Sequence, residues 1–205
     1  TQDEVLALFA GLDAYQERKR QQRDSSRAHG KAHLSDLRQV EYVDHVKPWI
    51  LLMYYTGFRP GDIFGLHWEH VNFDFGFIRK TIEKTAHHHP EARTFDLSAA
   101  ALAVLRTWWL QSGKPKKGFV FASNRSQSSR MDKNAMQKPW AMVKALGGLP
   151  TELDLYTLRH NFASQLVMAG ADLLTVSKLM AHTDINTTIK HYGHLQPHMA
   201  RKWVN

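Results

Sequence analysis

The chain has 205 residues, of which 43 % are apolar, including 6 Trp and 10 Phe, and it carries a formal net charge of +8. That apolar content fills the core of one large domain and excludes a disordered chain. The positive balance points to an acidic partner, nucleic acid before anionic membrane. With no cysteine there is neither a disulfide framework nor thiolate chemistry. The longest apolar stretch, Trp49 to Tyr55, is far short of a bilayer span, and no signal peptide is visible, so a cytoplasmic setting is expected. The opening at Thr1, without Met, reads as a piece cut at a domain linker.

Thr1-Gln-Asp-Glu predicts an N-cap and an acidic first turn, followed by Val5, Leu8, Phe9 and Leu12 at helical spacing. Glu17 to Lys31 is basic and reads as a solvated helix end and loop, with a phosphate-contacting segment as the alternative. Val40 to Tyr55 predicts a buried helix ended by Thr56-Gly57, and Pro60 opens a second over about Gly61 to Trp68. Val71 to Asp74 and Phe77 to Ile82 predict two strands joined at Phe75-Gly76; Thr94 to Leu97 predicts a third, reached through a His-rich loop. Ser98 caps an amphipathic helix with Leu102, Leu105, Trp108 and Trp109 on its apolar side. After the Gly113–Gly118 turn and a short apolar run at Phe119–Phe121, Ser123 to Lys133 reads as a polar, mobile loop. Four helices close the chain, over about Lys133–Leu146, Tyr156–Ala169, Leu173–Met180 and Thr187–Tyr192. The fold class is therefore mainly α, an α+β arrangement with one small three-stranded antiparallel sheet.

Two arginines, a histidine and a tyrosine stand out chemically. Arginine presents a planar fork of donors that fits two phosphate oxygens and keeps its charge, which suits Arg59 and Arg159 to an anion. Asp62, three residues after Arg59, is placed to orient its guanidinium. His182, between an apolar helix and the fresh cap Thr183-Asp184, can donate to an oxygen on which charge builds. Tyr192 is the candidate nucleophile; a free phenol titrates at about 10 and needs cations or a base beside it. The run His87-His88-His89 has no carboxylate spaced to complete a metal site, and it reads as a solvated or DNA-facing loop.

Three stretches in order resemble the boxes of the tyrosine recombinases, the phage integrase family. Thr56-Gly-Phe-Arg59-Pro-Gly-Asp62 through Trp68 resembles the first arginine box, and Leu158-Arg159-His160-Asn-Phe-Ala-Ser164 the second. Leu179-Met-Ala-His182 through Thr188, followed by His191-Tyr192, resembles the third, and the small sheet falls between the boxes as it does in that family. The resemblance spans about Leu6 to Leu195.

It implies a helical catalytic domain over 1–205, with 193–205 as a C-terminal tail segment and the N-terminal DNA-binding domain absent from this chain. It further implies that Arg59 and Arg159 clamp the phosphate, that His182 is the third-box histidine, and that Tyr192 forms a 3′-phosphotyrosyl bond. The lysine that protonates the departing 5′-oxygen lies between the second and third strands; Lys84 best occupies that place, with Lys80 as runner-up because hairpin register is not fixed by sequence. One position departs from the pattern. Tyr156 stands where the family usually has histidine, and a phenol is a poor base near pH 7. His160 is no obvious substitute, since neighbours on a helix point about 100° apart.

The implied activity is DNA cleavage and rejoining with no cofactor and no metal, on double-stranded attachment sites. The implied assembly is a tetramer on DNA, monomeric as an isolated fragment, with no membrane contact. A phage or genomic-island integrase is the preferred identity. A type IB topoisomerase-like enzyme and a non-catalytic DNA-binding relative are the alternatives.

Overall fold

The computed structural model describes residues 1–87, 90–123 and 127–196, the side chain of Thr85 apart. Two histidines of the predicted triple-His loop, part of the polar stretch after Ser123, and the tail beyond residue 196 fall outside them. The expected class is observed: eight α-helices among the described residues around a three-stranded antiparallel sheet of order β1-β2-β3.

Helix α1 (Gln2–Ala28) begins in a full capping box, Thr1 and Glu4 each satisfying the other's backbone N–H. It continues well past Glu17 because its basic residues have partners within the chain. Arg20 donates to the carbonyls of Leu37, Val40 and Glu41, and Arg23 donates to that of Ser35. Arg27 donates to Ala32 and Leu34. These three arginines tie the loop after α1 back onto the helix, so the phosphate-contacting alternative does not apply to them.

Helix α2 (Val46–Thr56) is apolar almost all round and lies at the centre of the main core, with Trp49, Ile50, Leu52 and Met53 fully buried. Gly57 ends it in the left-handed conformation, and α3 (Pro60–Phe64) follows at once with Pro at its start. Strands β1 (Val71–Asn72), β2 (Phe77–Lys80) and β3 (Arg93–Asp96) are shorter than the sequence suggested. The Asn72 side chain accepts from the N–H groups of Asp74 and Phe75, turning the chain two residues early. The register pairs Ile78 with Phe95 and Lys80 with Arg93. The two-residue period of a strand therefore puts Lys80 on the same inward face as Ile78.

Helix α4 (Ala99–Gln111), capped by Ser98, packs on α2, and α5 (Gln137–Gly147) packs on α1. The α1–α5 crossing is a glycine contact: a Cβ at Gly11 would overlap the Val143 carbonyl, and one at Gly147 the Ala7 carbonyl. Helices α6 (Tyr156–Met168), α7 (Leu173–Leu179) and α8 (Ile185–Tyr192) enclose a second, smaller core of Ala163, Val167, Val176, Met180 and Tyr192. Asp172 and Asp184 cap α7 and α8, which fixes where each begins. Among the described residues no helix is long and apolar enough to cross a membrane.

Candidate active site

The two arginines meet where the two cores adjoin. Arg159 lies on the first turn of α6, only 2 % exposed. Its Nη1 donates to the Gly57 carbonyl at 2.5 Å and its Nη2 to the carbonyl of Met180. One side chain thus joins the end of α2 to the end of α7. Left-handed backbone at both ends makes this possible. Gly57 has φ +62°, with no room for a Cβ beside Phe162. Ala181 has φ +49°, turning the chain after α7 so that Met180 presents its carbonyl and His182 its ring.

Arg59 caps α3 without a capping bond, and its guanidinium is largely buried. Asp62 Oδ2 stands 4.0 Å from Nη1, an ion pair but not a hydrogen bond. Nε and Nη1 of Arg59 are buried and have no hydrogen-bond partner. Buried charged donors without a hydrogen bond cost about 1–3 kcal/mol, so an acceptor reaching them would be stabilising. Burial first, and then the charge of Arg59, push the Arg159 guanidinium down to about 10. It stays charged at neutral pH, and the two cations repel each other until an anion joins them.

Asp62 is 2 % exposed and organises the neighbourhood. Its carbonyl accepts from Lys80 Nζ at 2.5 Å, and its Oδ1 accepts from the Glu83 N–H at 3.1 Å and lies 3.8 Å from Lys80 Nζ. The Lys80 side chain is 1 % exposed, and burial lowers its pKa. It is a structural cation occupied with Asp62. Lys84 sits just beyond, exposed, on a single 3-10 turn at Glu83–Thr85. Of the two lysines weighed for the leaving group, Lys84 is therefore the one free to reach a ligand.

His182 is half-buried, its Nδ1 2.7 Å from the hydroxyl of Thr188, which is fully buried on α8. Burial, then the charges of Arg159 and Arg59, hold the ring at about 4, so it is neutral near pH 7. With Thr188 as the donor to Nδ1, the neutral ring would carry its proton on Nε2.

Tyr192 closes α8 with its ring buried in the second core, 4 % exposed. Burial raises its pKa, Arg159 opposing and Tyr156 adding to the rise. The phenol therefore holds its proton and needs a base. Its oxygen lies 2.7 Å from Nδ1 of His160. Tyr156, at the position usual for histidine, is partly exposed, its ring against His160 with centroids 5.3 Å apart. His160 and Arg159, as neighbours on a helix, point about 100° apart, yet His160 meets Tyr192. The sequence signal for this is the spacing: Tyr156 and His160 are four apart and share one face of α6, and the last turn of α8 crosses that face.

Comparisons with known proteins bear on the family and the fold. Residues 36–199 match the model of the phage integrase family. The chain is 34 % identical to the tyrosine recombinase XerC of Actinobacillus succinogenes over 79 % of its own length and 53 % of the relative's. To XerD of Staphylococcus aureus it is 29 % identical, over 75 % and 51 %. The fold superposes on that of the XerH site-specific recombinase bound to palindromic difH substrate with a TM-score of 0.62, at 18 % identity, over 94 % of this chain and 50 % of that one. What the helices, the sheet and the buried arginine pair define as a class is a tyrosine recombinase catalytic fold. The chain belongs to the phage integrase family. It spans about half the length of the XerC and XerD relatives it matches.

Proposed function

We propose that the chain is the catalytic domain of a site-specific DNA recombinase that cuts and rejoins double-stranded DNA through a 3′-phosphotyrosyl bond, without metal. The observation that carries this reading is the pair of unpartnered Arg59 donors beside the buried, charged Arg159, with the Tyr192 phenol on the adjoining helix. In this reading the arginines supply the charge stabilisation that the crowded anionic transition state needs.

In this mechanism the scissile phosphate sits between Arg59 and Arg159, and the neutral His182 donates from Nε2 to a non-bridging oxygen. Tyr192 Oη attacks phosphorus, the bond to the 5′-oxygen breaks, and Lys84 gives that oxygen a proton. The phosphodiester's energy is retained in the phosphotyrosine, so a 5′-hydroxyl reverses the step without ATP. Attack by a hydroxyl from another duplex exchanges strands. Double-stranded attachment sites and a tetramer spanning two of them complete the reading. Support comes from the net charge of +8 and from the likeness to a recombinase solved on DNA.

Within recombinases we read the chain as a phage or genomic-island integrase, from the style of its three boxes. The 34 % identity to XerC favours a second reading, a chromosome-resolving recombinase. The test is recombination by the full-length protein on supercoiled plasmids carrying either two unlike candidate sites or two copies of one site. Exchange between unlike sites supports an integrase, and exchange only between like sites supports the second reading. Relaxation with no exchange on either plasmid would overturn both in favour of a topoisomerase.

A further inference from the structure

We propose that His160 is the general base that takes the phenolic proton of Tyr192 as its oxygen attacks phosphorus. This rests on the phosphotyrosine reading above and extends it to a residue outside the arginine–histidine–lysine–tyrosine set.

The case is first geometric. Nδ1 of His160 is 2.7 Å from the Tyr192 oxygen, within the reach a general base needs. The neighbouring candidates are committed or unsuited. His182 has its Nδ1 on Thr188, and Tyr156 offers a phenol, which is a poor base near pH 7. The His191 ring stands 6.1 Å, centroid to centroid, from that of Tyr192. Tyr156 and His160 lie one turn apart on one face of α6, so the base is displaced along that face by four residues and still meets the end of α8.

The electrostatics agree. Around His160 stand Tyr156 and Arg159 on its own helix, Asp154 before it, and His191 and Tyr192 on α8. Glu4 of α1 lines the same surface groove. Burial, then His191 and Arg159, lower the imidazole's pKa below the usual value, with Asp154 opposing. The ring is neutral near pH 7, and Nδ1 is an acceptor when the phenol donates to it. His160 is also exposed to solvent, where a proton taken up can be lost.

The step balances. The Tyr192 O–H bond breaks and its proton goes to His160 Nδ1. The Tyr192 Oη–P bond forms, the P–O5′ bond breaks, and the 5′-oxygen is protonated by Lys84. On rejoining, the 5′-hydroxyl gives its proton to Lys84 and the Tyr192 oxygen takes one from protonated His160.

The test is single-turnover formation of the covalent adduct by the full-length protein on a nicked duplex carrying its site, between about pH 5 and about pH 9. Wild type is compared with His160→Asn and His160→Gln, with DNA binding measured alongside. The expected result is unchanged binding and cleavage slowed by roughly 10²–10⁴-fold near pH 7. The deficit should narrow as pH rises and solvent base takes over, and the wild-type rate should fall as pH drops below about 6.5. An unchanged rate, or a deficit constant at every pH, would reduce His160 to packing and overturn the assignment. If both variants lose DNA binding, the wild-type profile decides: a bend below about pH 6.5 sustains the assignment, and a steady rise without a bend overturns it. No adduct from wild type would instead overturn the phosphotyrosine reading on which the assignment rests.

Discussion

Gly57 and Gly148 form an internal control for how the arginine site is built. Both end a helix in the left-handed conformation, at φ +62° and +68°. Substituting Ala at either imposes the same backbone penalty, about 1–2 kcal/mol for an L-residue in that region. It also gives the same partial compensation from a stiffer unfolded chain, about 0.4–1 kcal/mol. The surroundings differ. A Cβ at Gly148 meets nothing within 4 Å, whereas one at Gly57 would overlap Phe162 Cδ1 and stand 2.9 Å from its Cγ and 3.2 Å from Met180 Sδ. Phe162 and Met180 pack in the second core, so relief requires that core to shift. Overpacking of this kind costs about 1–3 kcal/mol. Because the shared terms cancel, Gly57→Ala should be less stable than Gly148→Ala by about 1–3 kcal/mol. With a urea slope of about 2 kcal/mol/M, its denaturation midpoint falls lower by about 0.5–1.5 M. The Gly57 carbonyl also holds Arg159 Nη1, so only Gly57→Ala should slow DNA cleavage. Equal midpoints for the two variants, at equal slopes, would refute the packing argument. A Gly57→Ala protein that cleaved at the normal rate would refute the coupling to Arg159.

Other substitutions separate chemistry from stability. Arg59→Ala removes two buried donors that have no partner and relieves its repulsion with Arg159. Its long ion pair with Asp62 is lost, but Asp62 keeps Lys80 and the Glu83 N–H, so the thermal midpoint should change little while cleavage falls at least about a hundredfold; a large drop in the midpoint would contradict this. Lys80→Ala breaks a buried contact with Asp62 and should cost about 3–5 kcal/mol in urea denaturation. Lys84→Ala should alter stability by no more than about 0.5 kcal/mol and yet slow cleavage; the reverse pattern would exchange the roles of the two lysines. The His182 ring is held at about 4 in the fold and titrates near 6.5 when unfolded. The unfolded chain therefore takes up the proton first as pH falls. Stability should be complete above about pH 6.5 and decline between there and about pH 4. Discounted for the ring's half exposure, the loss amounts to about 1–2 kcal/mol. His182→Gln should flatten that part of the curve, and an unchanged acid slope would contradict the assignment.

Much of this was legible in the sequence because the decisive signals were local. The three boxes, the caps at Thr1 and Ser98 and the apolar run of α2 each depend on residues a few positions apart. What escaped depended on contacts across the chain. Helix α1 runs to Ala28 because Arg20, Arg23 and Arg27 find carbonyls on the returning loop, which composition does not reveal. The choice between Lys80 and Lys84 waited on the pairing of Lys80 with Arg93, which turns Lys80 inward. His160 was set aside because it points away from Arg159. In the structure its ring nevertheless meets the Tyr192 oxygen, because Tyr192 approaches from α8 on the face that Tyr156 and His160 share.

The most direct test of the central claim, that Tyr192 attacks a phosphate held by Arg59 and Arg159, is a covalent trap. The full-length protein and its Tyr192→Phe variant are incubated in EDTA with nicked duplexes carrying the attachment site and resolved under denaturing conditions. The structure predicts a protein–DNA adduct whose linking peptide contains Tyr192, absent from the variant although the variant binds the DNA as well as wild type does. An adduct that persists in Tyr192→Phe, or one that forms only when a divalent metal is restored, would contradict it.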